Sequence, residues 1–181
     1  MVKTLKVLGL VGSPRRGGNT DLIVQAVLEG AAANRNPTEK TYLYDLIIEP
    51  CIDCKACKKT PHQCILQDDM PKLYPKLATS DVIVFGTPLY WYGPSAKMKL
   101  LVDRFRPLIA SKALQGKKAV LVIPSEEGNE ACIHAVGMFV LSFEYLGMNL
   151  AKTLLPKASG KGEITNQPEK LKEAYAVGNG L

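Results

Sequence analysis

Apolar runs alternating with amphipathic helical stretches predict an α/β protein, a parallel sheet with helices on both faces. Three observations carry that reading. The runs at 81–86 (DVIVFG) and 117–124 (KKAVLVIP) are continuous and rich in β-branched residues, as strands covered on both faces are. Between such runs, apolar residues recur at helical spacing rather than alternating. The strand-helix alternation continues from end to end with no internal repeat or low-complexity segment.

Residues 6–12 (KVLGLVG) form the first predicted strand and pass at once into a turn. Residues 19–33 follow with Leu22, Ile23, Ala26, Val27 and Gly30 on one helical face. Residues 40–46 (KTYLYDL) read as strand two, 81–86 as strand three, 117–124 as strand four and 149–155 as a weaker strand five. Further helices are predicted over 71–78, 95–110 and 131–146, and over 168–177, which opens on a proline. One irregular insert, about 49–69, separates strand two from its helix and carries four of the five cysteines.

The chain has 181 residues, 46% of them apolar and 22% charged, which suits one domain over 1–181 that needs no crosslinks to fold. Disorder, collagen-like repeats and a coiled coil are excluded as its main architecture. The net charge of +6 is spread along the chain; it favours anionic ligands without demanding nucleic acid. No run approaches the roughly 18 uncharged apolar residues of a membrane span, and the N-terminal apolar run lacks a cleavage pattern. An odd, tightly spaced cysteine set argues against a secreted disulfide framework, so a reducing cytoplasm is expected.

Strand one runs into Gly12-Ser13-Pro14-Arg15-Arg16-Gly17-Gly18-Asn19-Thr20, where a helix begins. A strand-to-helix turn aims free backbone N–H groups and the positive helix end at one spot, which suits a phosphate. Ser13, Asn19 and Thr20 add short donors, and Arg15 or Arg16 adds charge. The turn matches neither the ATPase phosphate-loop pattern nor GxGxxG. The plainer reading is a helix capped by Asn19 or Thr20. Strand three ends in Pro88-Leu89-Tyr90-Trp91-Tyr92-Gly93, on the sheet edge where open α/β folds bind ligands. Three adjacent aromatics cannot all face a core, so they form either a flat wall for a planar ring or a cover over a domain edge or dimer contact. Strand four ends in a third loop, 124–129, holding Ser125 and Gly128. Lys99 and Asp103, four apart, read as a structural ion pair.

Cys51, Cys54, Cys57 and Cys64 follow a C-x2-C-x2-C-x6-C pattern. Convergent soft thiolates select an iron–sulfur cluster or zinc, and the CxxCxxC run is ferredoxin-like spacing. Structural zinc, plain thiols and a redox disulfide pair are the competing readings. Lys55, Lys58 and Lys59 interleave the ligands and offset their charge. His62 is close enough in sequence to serve as a substitute ligand, though the plainer reading is a solvated loop histidine, and Cys132, on a predicted helix, reads as buried and inert.

GSPRRGGNT, TPLYWYGPSAKMKLLVDR and the DDM at 68–70 together resemble the flavodoxin-fold NAD(P)H-dependent FMN reductase family, and the cysteines resemble its iron–sulfur flavoprotein branch. The resemblance spans nearly the whole chain. It implies a doubly wound five-stranded sheet of order 2-1-3-4-5. Ser13, Arg15, Asn19 and Thr20 would hold the FMN phosphate, and Pro88, Leu89, Tyr90, Trp91, Tyr92 and Gly93 would line the flavin ring. Ser125 and Gly128 would close the pocket. The four cysteines would hold a [4Fe-4S] cluster.

The function implied is an FMN-dependent oxidoreductase passing electrons between NAD(P)H or a ferredoxin-like donor and a small-molecule or protein acceptor. Its catalytic work would rest on the cofactors rather than on acid/base side chains. A homodimer or homotetramer is implied as well. An electron carrier without small-molecule turnover is the alternative, followed by a protein with structural zinc or free thiols at the cysteines.

Overall fold

The computed structural model describes residues 4–181; the first three residues of the expected 1–181 domain lie outside it. Its main sheet contains β1 (Val7–Val11), β2 (Thr38–Tyr42), β3 (Val82–Gly86), β6 (Lys118–Val122) and β7 (Asn149–Leu154). The order is β2-β1-β3-β6-β7, all parallel, with a register irregularity between Ala119 and Val120 where β6 meets β7. Counting main-sheet strands alone, this is the 2-1-3-4-5 order expected. The skipped labels belong to a two-stranded hairpin, β4 (Leu89–Tyr90) and β5 (Gly93–Pro94), inside the loop after β3.

Side chains alternate across a strand, so each central strand feeds two cores. Leu8, Leu10, Ile83, Phe85, Ala119 and Leu121 face α2 (Met70–Thr79), α3 (Ala96–Asp103), α4 (Pro107–Ala110) and α5 (Ile133–Leu146). Phe85 packs there against Phe143, ring centroids 4.9 Å apart. Val7, Val11, Val82, Val84, Val120 and Val122 face α1 (Asn19–Ala33) and α6 (Pro168–Asn179). These two helices pack backbone to backbone: a Cβ on Gly30 would fall 2.0 Å from the Tyr175 carbonyl oxygen, and one on Gly178 1.9 Å from that of Val27. Among the described residues no helix is long and apolar enough to cross a membrane.

Two element boundaries differ from the sequence reading. Strand two begins two residues earlier and ends at Tyr42, because Leu43–Asp45 turn into a 3-10 helix that buries Leu43. The polar start of that strand is explained by its place on the sheet edge. The helix expected over 95–110 is broken after Asp103. Arg104 turns into the protein there, and Pro107, which has no N–H to donate, starts a new short helix. The other helices agree within two residues.

Candidate functional site

Loops from the carboxyl ends of β1, β3, β6 and β7 surround one cleft of about 260 Å³. Its lining includes Ser13, Arg15, Asn19, Thr20, Pro88, Leu89, Tyr90 and Ser125, all named from the sequence. It also includes Ala158, Ser159 and Lys161, from a loop the sequence reading left unassigned.

The loop after β1 is held from behind by a buried carboxylate. Asp21, in the first turn of α1, accepts the Gly17 amide at 2.7 Å, the Lys40 ammonium at 2.9 Å and the Tyr42 hydroxyl at 3.0 Å. Burial alone would raise its pKa, but the Gly17 amide, Lys40 and Tyr42 hold it below the usual carboxylate range. Gly17 sits at φ +66°, a left-handed conformation that favours glycine. The helix cap is Gly18 rather than Asn19 or Thr20. Leu22 is the first amide bonded back, to the Gly18 carbonyl, which leaves the amides of Asn19, Thr20 and Asp21 without intrahelical partners at the cleft.

Asn19 lines the cleft, but its side chain also spans to the β7 loop. It donates to the Gly160 carbonyl at 2.9 Å and accepts the Ile164 amide at 3.1 Å. Glu163 completes that loop by accepting the amides of Ser159 and Gly160. Of the two arginines, Arg15 faces the cleft, whereas Arg16 pairs with Asp45 at 2.6 Å and lies over the Tyr42 ring.

The loops after β1 and β3 are fastened by Ser95. Its hydroxyl donates to the Gly12 carbonyl at 2.5 Å and caps α3 by accepting the Met98 amide, while its own amide donates to Thr87 Oγ1 at 2.9 Å. Ahead of it, Trp91 and Tyr92 form the two-residue tip of the β4–β5 hairpin, with φ of +48° and +61°. Such primed turns favour Gly and Asn, so two bulky aromatics there are strained. Trp91 is 97% exposed. Tyr90 faces the cleft, while Trp91, Tyr92 and Gly93 project beyond its lining. Gly128 also stands outside it, donating its amide to Ser125 Oγ at 3.0 Å. Behind that contact Cys132 is buried, its thiol 3.5 Å from Ser125 Oγ, as the sequence predicts for an inert thiol. Lys99 and Asp103 pair at 2.6 Å, as expected.

The insert leaves the body at Glu49 and rejoins it at Asp68. A buried ion pair closes this root: Arg104 Nη1 lies 2.5 Å from Asp68 Oδ2 and donates to the Glu49 carbonyl at 2.7 Å. Asp68 also accepts the amides of Glu49 and Met70, both at 2.9 Å. Burial opposes its ionisation, but Arg104 and the two amides prevail and its pKa is lowered. Arg104 Nη2 reaches Cys64 Sγ at 3.4 Å. Tyr74 donates to the Arg104 carbonyl, and burial pushes its hydroxyl up to about 12 against the nearby guanidinium.

Cys51 and Cys54 are exposed, Cys57 and Cys64 half-buried, and none is disulfide-bonded. Burial raises the Cys57 pKa, and the nearby Cys64 raises it further. Among the described residues no three such side chains stand close enough to share a metal ion. His62 directs Nδ1 to the Cys57 carbonyl at 3.3 Å.

A family model described as NADPH-dependent FMN reductase matches residues 5–158, which takes in every strand of the sheet and all the cleft loops up to Ala158. The chain belongs to the NADPH-dependent FMN reductase family. It is therefore an FMN-dependent oxidoreductase. An iron–sulfur flavoprotein of Methanocaldococcus jannaschii is 39% identical over 140 residues, covering 76% of this chain and 72% of that protein. A second from the same organism is 28% identical over 180 residues, covering 93% and 90%. Among solved structures, an NAD(P)H:quinone oxidoreductase from Methanothermobacter marburgensis superposes with a TM-score of 0.76 at 18% identity, covering 98% of this chain and 96% of that one. That last likeness speaks for the fold.

The cleft fits the FMN of this family on its own chemistry. Partnerless helix amides, the hydroxyls of Ser13 and Thr20 and two cations, Arg15 and Lys161, line the cleft beside the aromatic hairpin, with Glu126 its one acidic lining residue among the described residues. By chemistry alone, four soft thiols with Arg104 behind one of them are the donor type an iron–sulfur cluster takes, although in this structure no three of them are gathered around one point. Asp53 and Lys55 flank Cys54 with positive φ.

Proposed function

We propose that residues 1–181 form one FMN-binding unit that passes electrons from NAD(P)H or a ferredoxin-like donor to an acceptor through FMN and a [4Fe-4S] cluster. The observation that carries the FMN site is the cleft itself, where sequence-distant loops bring Ser13, Arg15, Asn19 and Thr20 opposite Pro88, Leu89 and Tyr90. Arg15, Thr20 and the first amides of α1 bind the phosphate, and Asn19 fixes the wall behind it. The Pro88–Gly93 hairpin stacks against the ring, and its strained tip keeps Trp91 and Tyr92 outward to meet a ring edge or a second subunit. Ser125, held by Gly128, closes the side.

Bound FMN supplies the exchange between a two-electron donor and one-electron partners. The chain's own part is to bind, orient and shield, and no side chain is asked to move a proton. Cys51, Cys54, Cys57 and Cys64 hold the cluster, a reading supported by the thiol chemistry and by the names of the iron–sulfur flavoprotein relatives. Cysteines that hold a cluster rather than disulfides suit a reducing cytoplasm. The exposed Leu141 and Tyr145 beside the groove between α3 and α5 support a homodimer or homotetramer, which light scattering tests.

The deciding experiment is an absorption spectrum of anaerobically purified protein with iron, zinc and acid-labile sulfide analysis. Flavin bands with about four iron and four sulfide per chain are expected. Flavin without iron overturns the cluster, and no flavin under any loading condition overturns the whole reading. Steady-state NAD(P)H oxidation then separates a reductase from a carrier, which shows none alone.

A further inference from the structure

The feature left unused is the cation at the root of the insert. Arg104 is a charged side chain only 1% exposed, and its partner Asp68 is 0% exposed. Its Nη1 is spent on Asp68 and on the Glu49 carbonyl. Its Nη2 is shared between Asp68 Oδ1 at 3.3 Å and Cys64 Sγ at 3.4 Å, and Nε has no partner among the described residues. Asp68 is itself fixed by the amides of Glu49 and Met70, so the guanidinium cannot swing away from the sulfur without abandoning a buried carboxylate. Among the described residues the other three thiols of the motif have no hydrogen-bonded side chain.

We propose that Arg104 is the positioning residue of the cysteine set: it fixes Cys64 as the anchored ligand and, through its N–H···S contact, favours the reduced form of the cluster. The inference rests on the [4Fe-4S] reading above. Reduction adds one negative charge to a thiolate-bound centre. Hydrogen bonds to the sulfurs and nearby net charge are the protein's means of setting the potential. A cation buried to this degree is little screened by salt. A purely structural Arg104 would need only Asp68 and Glu49 and would leave the potential alone.

The test compares wild type, Arg104→Lys, Arg104→Met and Asp68→Asn, each anaerobically reconstituted with iron and sulfide and titrated by EPR-monitored redox potentiometry. Lysine keeps the charge but lacks the planar fork that serves Asp68, Glu49 and Cys64 together. Removing the N–H···S contact is expected to shift the oxidised-to-reduced ratio about tenfold toward oxidised in Arg104→Met, about 59 mV for a one-electron couple. Arg104→Lys is expected to fall between. Asp68→Asn loosens the root, retains the cation and removes the buried anion, so its midpoint is expected at or above wild type, opposite to Arg104→Met. Hydrogen exchange in the metal-free protein shows its Glu49 and Met70 amides exchanging faster. Should Arg104→Met fail to fold, the double variant Arg104→Met/Asp68→Asn, which removes both buried charges, carries the same comparison with Arg104→Lys. Fully loaded Arg104 variants with the wild-type midpoint would overturn the proposal. Wild type that takes up no iron and sulfide fails at the earlier step: it overturns the cluster reading and this inference with it.

Discussion

Replacing Asp21 with Asn tests whether the phosphate loop is held by a charge or merely by shape. The carboxylate accepts three hydrogen bonds, from the Gly17 amide, Lys40 and Tyr42, and its side chain is 7% exposed. A hydrogen bond to a charged acceptor contributes roughly 1.5–3 kcal/mol against about 0.5–1.5 for a neutral one. The Lys40 share is discounted because that side chain is 22% exposed and partly screened. The loss for Asp21→Asn at neutral pH is then about 2–4 kcal/mol, or roughly 5–15 °C in Tm for a chain of this size. Asp21 titrates lower in the folded protein than the ordinary carboxylate value of about 3.9. Its charge therefore stabilises the fold above about pH 4 and stops doing so as pH falls through the depressed folded value. Chemical denaturation of both proteins from pH 7 down to pH 3 should show their stabilities converging. An equal difference at both ends would mean that shape alone is lost, and no difference at pH 7 would remove the carboxylate from the account of the loop.

Arg15→Gln should weaken FMN binding tenfold or more, the equivalent of one charge-assisted contact; Lys161→Ala should weaken it less and more so at low salt. Quenching of flavin fluorescence on titration reads both. Gly30→Ala places a methyl 2.0 Å from the Tyr175 carbonyl oxygen and forces α1 from α6. It should cost about 1–3 kcal/mol in urea denaturation and leave the FMN affinity of the folded protein unchanged. Trp91→Gly removes a strained left-handed tryptophan whose indole buries almost nothing, so flavin-free protein should gain about 1 kcal/mol. If the same variant loses FMN affinity, the strain serves the flavin; unchanged affinity would assign the indole elsewhere.

The central strands were legible because burial on both faces leaves an unbroken apolar run: VLGLV and VIVFG have no exposed position. The edge strand β2 was shifted because Thr38 and Glu39 look like loop when only one side of a strand is covered, while Leu43 looks like strand though it is buried in a turn. The phosphate and aromatic loops were legible because each lies within one stretch of chain. What escaped was long-range. Asn19 joins Gly160 across 141 positions, Ser95 joins Gly12 across 83, and Arg104 joins Cys64 across 40. Arg104 closes a helix that carries a visible Lys99–Asp103 pair on its surface, and nothing in local spacing marks it as the charge that turns inward. Lys161 lacked any pattern at all, since its loop is shaped by Glu163 and by a side chain from the first helix.

Those long-range contacts also explain why two sites of different chemistry can share so small a chain. The cleft is assembled on strand ends: Ser95, Asn19 and Ser125 each tie one carboxyl-end loop to its neighbour, so its geometry follows from the sheet. The insert is rooted through a separate pair, Arg104 and Asp68, whose hydrogen bonds run to residues 49, 64, 70 and 74 and to the end of α3. No hydrogen bond described here joins the Arg104–Asp68 pair to a residue lining the cleft. Damage to the root should therefore disturb the cysteines while FMN still binds, and damage to the Asp21 anchor should do the reverse. The two share the core around Met70 and Phe105, against which Leu89 of the cleft also packs, so the separation predicted is one of hydrogen bonding. A root variant that abolished FMN binding in an otherwise folded protein would contradict that separation.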